Sequence, residues 1–124
     1  MNSDILYKRL LSFGQRNLKL VILLPKTIYN IEYGKQSIRS SASPGANYIE
    51  AIEAMSRKDF IHRLKICLKE VKETVHWLLL IKSANPENNE VQKESDNLIS
   101  EAHELIRILA ASILTAGKNR EVKR

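Results

Sequence analysis

Apolar residues return every three or four positions along most of this chain, with polar residues filling the gaps. From about Asp4 to Leu24 the repeat is Leu6, Leu10, Phe13, Leu20 and Leu24, interrupted once by Asn17. That spacing lines one side of a helix. Pro25 stops the segment, and Thr27 is placed to cap the next one. A third segment opens at Ser56 and Asp59, which have capping-box spacing, and runs to about Lys82. Ile61, Leu64, Leu68, Val71, Val75 and Leu78 are its stripe. The turn "NPENNE" follows, with Pro86 suited to a helix start. Val91, Leu98, Ala102, Leu105, Leu109 and Ala116 then carry a fourth helix to Gly117, its expected C-cap. Strand-type alternation persists nowhere, so the pattern predicts an all-α fold.

The second segment is the ambiguous one. "RSSASPGANYIEA" holds serines, a proline and a glycine, residues that usually end helices. Yet Ile38, Ala42, Gly45, Ile49 and Ile52 step four, three, four, three straight across Pro44, and Ile31 fits the same phase. A turn would reset that phase. The pattern therefore predicts one helix from about Ile28 to Met55, kinked near Pro44; the alternative is a loop joining two shorter helices. Pro44 forfeits a backbone hydrogen bond to Ser40, at roughly 3 kcal/mol in a helix interior. Packing has to offset that loss. The small pairs Ser41/Gly45 and Ala42/Ala46 would let another backbone come close.

Four long amphipathic helices with short connections imply an antiparallel up-down-up-down bundle over residues 1–117. Residues 118–124 then read as a basic, flexible tail. At about 100° per residue, Ile66, Trp77 and Leu80 fall on the side of helix three opposite Leu64, Leu68 and Val71. Ile99, Ile106, Ala110 and Ile113 flank the stripe of helix four. Such a second apolar surface predicts self-association, with Ile66, Trp77 and Leu80 as candidate interface residues.

Composition narrows the class further. The 124 residues carry a formal charge of +6, which permits an anionic partner without requiring one. The single cysteine, Cys67, excludes an internal disulfide and fits a reducing cytoplasm. The N-terminal stretch is charged throughout and lacks the form of a leader, and runs such as "LVILL" are too short to span a bilayer. A cytoplasmic protein without a membrane partner is expected.

No residue pattern announces a reaction. Glu73 and His76 form an E-x-x-H, half of a di-iron motif, but helix one has no glutamate and helix four offers Glu101, His103 and Glu104 at the wrong spacing. Glu50/Glu53 and Glu70/Glu73 are carboxylate pairs of the kind that solvated helix faces carry routinely. Cys67 reads as a small buried hydrophobe, and Ser43 and Asn47 as partners for the backbone around Pro44. No catalytic, metal or cofactor site and no small-molecule substrate are expected. Positive charge is better organised: Lys58, His62, Lys65, Lys69, Lys72 and His76 share one flank of helix three, and Lys35 and Arg39 make a smaller patch on helix two. With no aromatic interleaved among the lysines, binding of RNA or DNA there would be to phosphates and sequence-tolerant.

The run "GKQSIRSSASPGANYIEAIEAMSRKDFIHRLKICLKEVKETVHWLLLI" resembles the signature of the four-helix-bundle proteins encoded by intervening sequences in bacterial 23S ribosomal RNA genes. "RLLSFGQRNLKLVILLPKT" and "EAHELIRILAASILTA" agree with it; Gly14 and Val75-His76 depart mildly. The resemblance implies a homopentamer with no known enzymatic activity and a role near RNA. Two readings follow for function. One is a nucleic-acid-associated oligomer; the other is a structural scaffold or accessory subunit whose partner is another protein.

Overall fold

Each helix begins where a side chain satisfies a backbone N–H that helical geometry leaves unpaired. The computed structural model describes the backbone of residues 1–122 and the side chains of residues 1–118. Helix α1 spans Ser3–Leu23, α2 Ile28–Ile52, α3 Arg57–Ala84 and α4 Asn89–Val122. Asn2 caps α1 by accepting from the Ile5 N–H at 2.9 Å, and Thr27 caps α2 by accepting from Asn30 at 3.1 Å. Ser56 caps α3 through the Asp59 N–H at 3.1 Å, as its spacing predicts. Asn88 caps α4 through the Val91 N–H, so the helix starts at Asn89, three residues beyond the expected start at Pro86. At the other end α4 continues through Gly117 to Val122, so Gly117 is not its stop. The tail expected over 118–124 lies largely outside the described side chains.

The helices contact one another in a ring, α1 with α2, α2 with α3, α3 with α4 and α4 with α1. Contacts across the first three pairs run in opposite order along the two helices. Asn17 meets Ser37 and Val21 meets Gly34; Asn47, Ser40 and Asn30 meet Arg63, Thr74 and Asn85 in turn. Arg57 and Lys82 reach Ala116 and Asp96 across α3 and α4, and Arg9 grips Glu101 with two hydrogen bonds across α1 and α4.

Every helix turns a seam with steps of three and four into this ring, the heptad pattern of helices packed side by side. In α1 it is the predicted stripe with Asn17 included, since Asn17 is fully buried and donates to the Ser37 Oγ at 3.1 Å. All six stripe residues predicted for α4 are buried. In α3 the seam is Leu64, Cys67, Val71, Thr74, Leu78 and Ile81. Ile61, Leu68 and Val75 are therefore only half-buried at its edge.

Helix α2 runs through Pro44, but its inward face is not the predicted one. Asn30, Gly34, Ser37, Ser41, Pro44, Tyr48 and Ala51 point inward; of the predicted phase Gly45 is buried, whereas Ile31, Ile38, Ile49 and Ile52 are between 37% and 49% exposed. Small side chains hold this position because α1 lies very close. A Cβ added at Gly14 would stand 3.0 Å from the Ser41 carbonyl oxygen, and one at Gly34 would stand 2.9 Å from a Val21 methyl. The buried hydroxyls are paired locally: Ser37 with the Gly34 carbonyl, Ser41 with that of Ile38, and Ser40 with Thr74 at 2.8 Å. Pairing of this kind removes the penalty of burying them. Cys67 donates its thiol hydrogen to the Pro44 carbonyl at 3.3 Å, tying α3 to the proline turn.

Candidate nucleic-acid face and self-association surface

Because the seam of α3 takes Leu64, Cys67, Val71 and Thr74, the lysines between them are carried to the outside. Lys58, Lys65, Lys69 and Lys72 are all exposed there, with His62 and His76 among them. The other two candidate cations are separate from this face. Lys35 is exposed beside Ile31 and Ile38, toward α1. Arg39 is occupied: it donates to Glu73 at 2.6 Å and Glu70 at 3.3 Å, and its Nε lies 3.4 Å from Gln36. The structure thus assembles four of the six predicted cations on one face, Lys69 among them 4.0 Å from the Glu70 carboxylate, and pairs off a fifth.

Glu70 is the residue that sequence reasoning undervalued. Expected on a solvated face, it is only 7% exposed, between α2 and α3. Burial pushes its carboxyl up from the ordinary range, and its hydrogen bond with Glu73 adds to the rise against the pull of Arg39 and Lys69. For Glu73, burial also acts upward, but the Glu70 hydrogen bond and the Arg39 charge outweigh it and hold the group low. One guanidinium clamps the pair. The signal available in the sequence was the register of α3, since a seam through Cys67 and Val71 turns Glu70 toward α2.

Among the described residues, no group of three or more His, Cys, Asp or Glu side chains lies where it could hold a metal ion. The E-x-x-H residues fit that: Glu73 is engaged by Arg39, and His76 is exposed. No helix among the described residues is long and apolar enough to cross a membrane.

Apolar exposure lies mainly on α1 and α2. Leu11, Leu18 and Ile22 of α1 are 44%, 47% and 71% exposed, and they run beside the outward isoleucines of α2. A groove of about 410 Å³ between the two helices is lined by Leu11, Leu18, Ile38, Ala42, Ala46 and Ile49. The four-three phase seen in the sequence is therefore real, but it belongs to a second seam that a single chain leaves uncovered. Ile66, Trp77 and Leu80, the candidate interface residues, are each half-buried, and Trp77 is partly covered by Tyr33 of α2.

A crystal structure of a protein with unknown function from the S23 ribosomal protein family of Bacteroides thetaiotaomicron is similar to this chain, with a TM-score of 0.77 and 31% identity. The match covers 91% of this chain and 98% of that one. No curated protein matches the sequence. The sequence model of the 23S rRNA-intervening sequence proteins matches residues 4–111, across all four helices, and the chain belongs to that family.

Proposed function

We propose that the protein is a non-enzymatic, self-associating bundle of the cytoplasm that holds RNA or DNA by its phosphates, without sequence preference, through the outer face of α3. The observation that carries this reading is the set of four exposed lysines, Lys58, Lys65, Lys69 and Lys72, on one face of one helix. Side-chain ammonium groups displace counterions from a phosphate backbone, and that release drives sequence-independent binding. Arg39 is not part of the face, because its charge is spent on Glu70 and Glu73.

Self-association multiplies the face by symmetry and gives the α1–α2 seam its cover. The contact surface in this reading centres on Leu11, Leu18, Ile38 and Ile49, in place of Ile66, Trp77 and Leu80. Five as the number of subunits is carried over from the family resemblance alone.

The test is fluorescence anisotropy with labelled RNA between about 50 and 200 mM salt, alongside a Lys65→Gln/Lys69→Gln/Lys72→Gln triple variant. Affinity is expected to fall steeply with salt, and the variant to bind far more weakly with unchanged helicity. No binding at low salt, or equal binding by the variant, would leave the other reading: a scaffold or accessory subunit that docks another protein on the uncovered seam. Light scattering separates the self-association claim. Wild type is expected as a multiple of 14.2 kDa, and Ile38→Asp as a single chain, since the contact would bury an unpaired charge. A monomeric wild type at micromolar concentration refutes it.

A further inference from the structure

Trp77, the one tryptophan of the chain, sits half-buried where α2 meets α3. Its ring centroid is 6.3 Å from that of Tyr33, with the planes 35° apart, and His76 meets it edge-on at 5.0 Å. Both are ordinary separations for interacting aromatic rings. The indole N–H is shielded from solvent and turned toward the Glu73 carboxylate, short of full hydrogen-bonding geometry. What Trp77 offers to solvent is therefore carbon. Tyr29, one turn before Tyr33 on α2, is 44% exposed. The cluster adjoins the basic face, because His76 belongs to both. Lys72 and Lys69 precede Trp77 by five and eight residues, about 7.5 and 12 Å along the axis. Of the two carboxylates beside the rings, Glu73 pairs with Arg39, and Glu70 with both Arg39 and Lys69.

Resting on the nucleic-acid reading above, we infer that Trp77, Tyr33 and His76 form a stacking platform for unpaired bases, so that the ligand of this face is single-stranded. Lysines alone would favour the duplex, whose phosphate charge is the denser of the two. An aromatic surface at the edge of the lysines changes that, since only an unpaired base can lay its π-face on a ring. Stacking of this kind is indifferent to which base is offered, which keeps the binding sequence-tolerant.

The sole tryptophan provides the readout. The full chain is titrated at about 50 mM salt with an oligothymidylate, a duplex of equal length and an abasic deoxyribose-phosphate strand, following anisotropy and tryptophan emission. The expected result is emission quenched by the oligothymidylate and not by the abasic strand or the duplex. Trp77→Leu should lose about tenfold in affinity for the single strand and little for the other two, and Trp77→Phe should recover most of the loss. Equal binding of all three strands without quenching overturns the platform and leaves the lysine face standing. Binding of none overturns both. Should Trp77→Leu fail to fold, the wild-type comparison between normal and abasic strands decides alone.

Discussion

Asn30 and Asn85 close the end of the bundle where the α1–α2 and α3–α4 turns lie, and removing one amide should cost far more than one hydrogen bond. Each donates to the other's side-chain oxygen, at 3.0 and 2.9 Å, and both are nearly fully buried. Asn30 also donates to the Pro25 carbonyl in the α1–α2 turn, and Asn85 to that of Ile81. Asn30→Ala deletes three hydrogen bonds. The Pro25 oxygen keeps the Thr27 N–H as a donor, but the Asn85 side-chain oxygen is left buried with none. One orphaned buried acceptor at about 1–3 kcal/mol, with the other two bonds near 1 kcal/mol each, puts the cost at about 3–5 kcal/mol. Asn85→Ala orphans the Asn30 oxygen and should cost about as much. The double variant leaves neither orphan. It should therefore be less destabilised than the sum of the singles, by about 2 kcal/mol or more. Urea unfolding of the four proteins at one fixed protomer concentration measures the cycle. Single costs below about 1 kcal/mol, or additivity within about 0.5 kcal/mol, would refute the reciprocal lock.

The clamped carboxylates should respond to pH with opposite signs. Glu70 titrates above its ordinary value of 4.5 in the folded state, so stability is lost as pH rises through its folded pKa; Glu70→Gln should equal or exceed wild type in stability at pH 7, with the advantage gone below about pH 4. Glu73 titrates below 4.5, so its contribution is present at neutral pH and lost as pH falls; Glu73→Gln should be less stable at pH 7, the gap closing toward acid. Thermal melts of both variants across that range check the pair, and shifts of the same sign would refute it. Burial pushes the Cys67 thiol up to about 12, so a disulfide reagent at pH 8 should leave it unmodified until urea unfolds the chain, whereas immediate stoichiometric reaction of the native protein would contradict the packing.

How much was legible follows from what each helix buries. Helices α1 and α4 turn large aliphatic residues inward, and a stripe of leucines is what periodicity detects. Helix α2 inverts that rule: Gly34, Ser37 and Ser41 face the core because the α1 backbone leaves no room for more, while isoleucines face out. Hydrophobic periodicity finds the most apolar face, and here that is not the innermost one. Helix α3 fell between the two cases, since Cys67 and Thr74 are weak hydrophobic markers beside Leu68 and Val75. The exposed lysines were legible because outward placement needs no partner. The pairing of Arg39 with Glu70 was not, because it joins residues 31 apart through a register that the sequence alone left open.

The uninterrupted seams also restrict how the gene can vary. An inserted residue turns everything beyond it by about 100°. One placed between Phe13 and Asn17 would swing Leu20 out toward solvent and carry Asn17 away from Ser37. Seven inserted residues, two turns to within about 20°, would restore the faces but leave the helix two turns longer than its neighbours. Length changes are therefore confined to the turns. One of these, at Pro25, is itself bonded to Asn30, which leaves Ala54 to Met55 in the α2–α3 turn and Pro86 to Glu87 in the α3–α4 turn as the places where this sequence can lengthen cheaply.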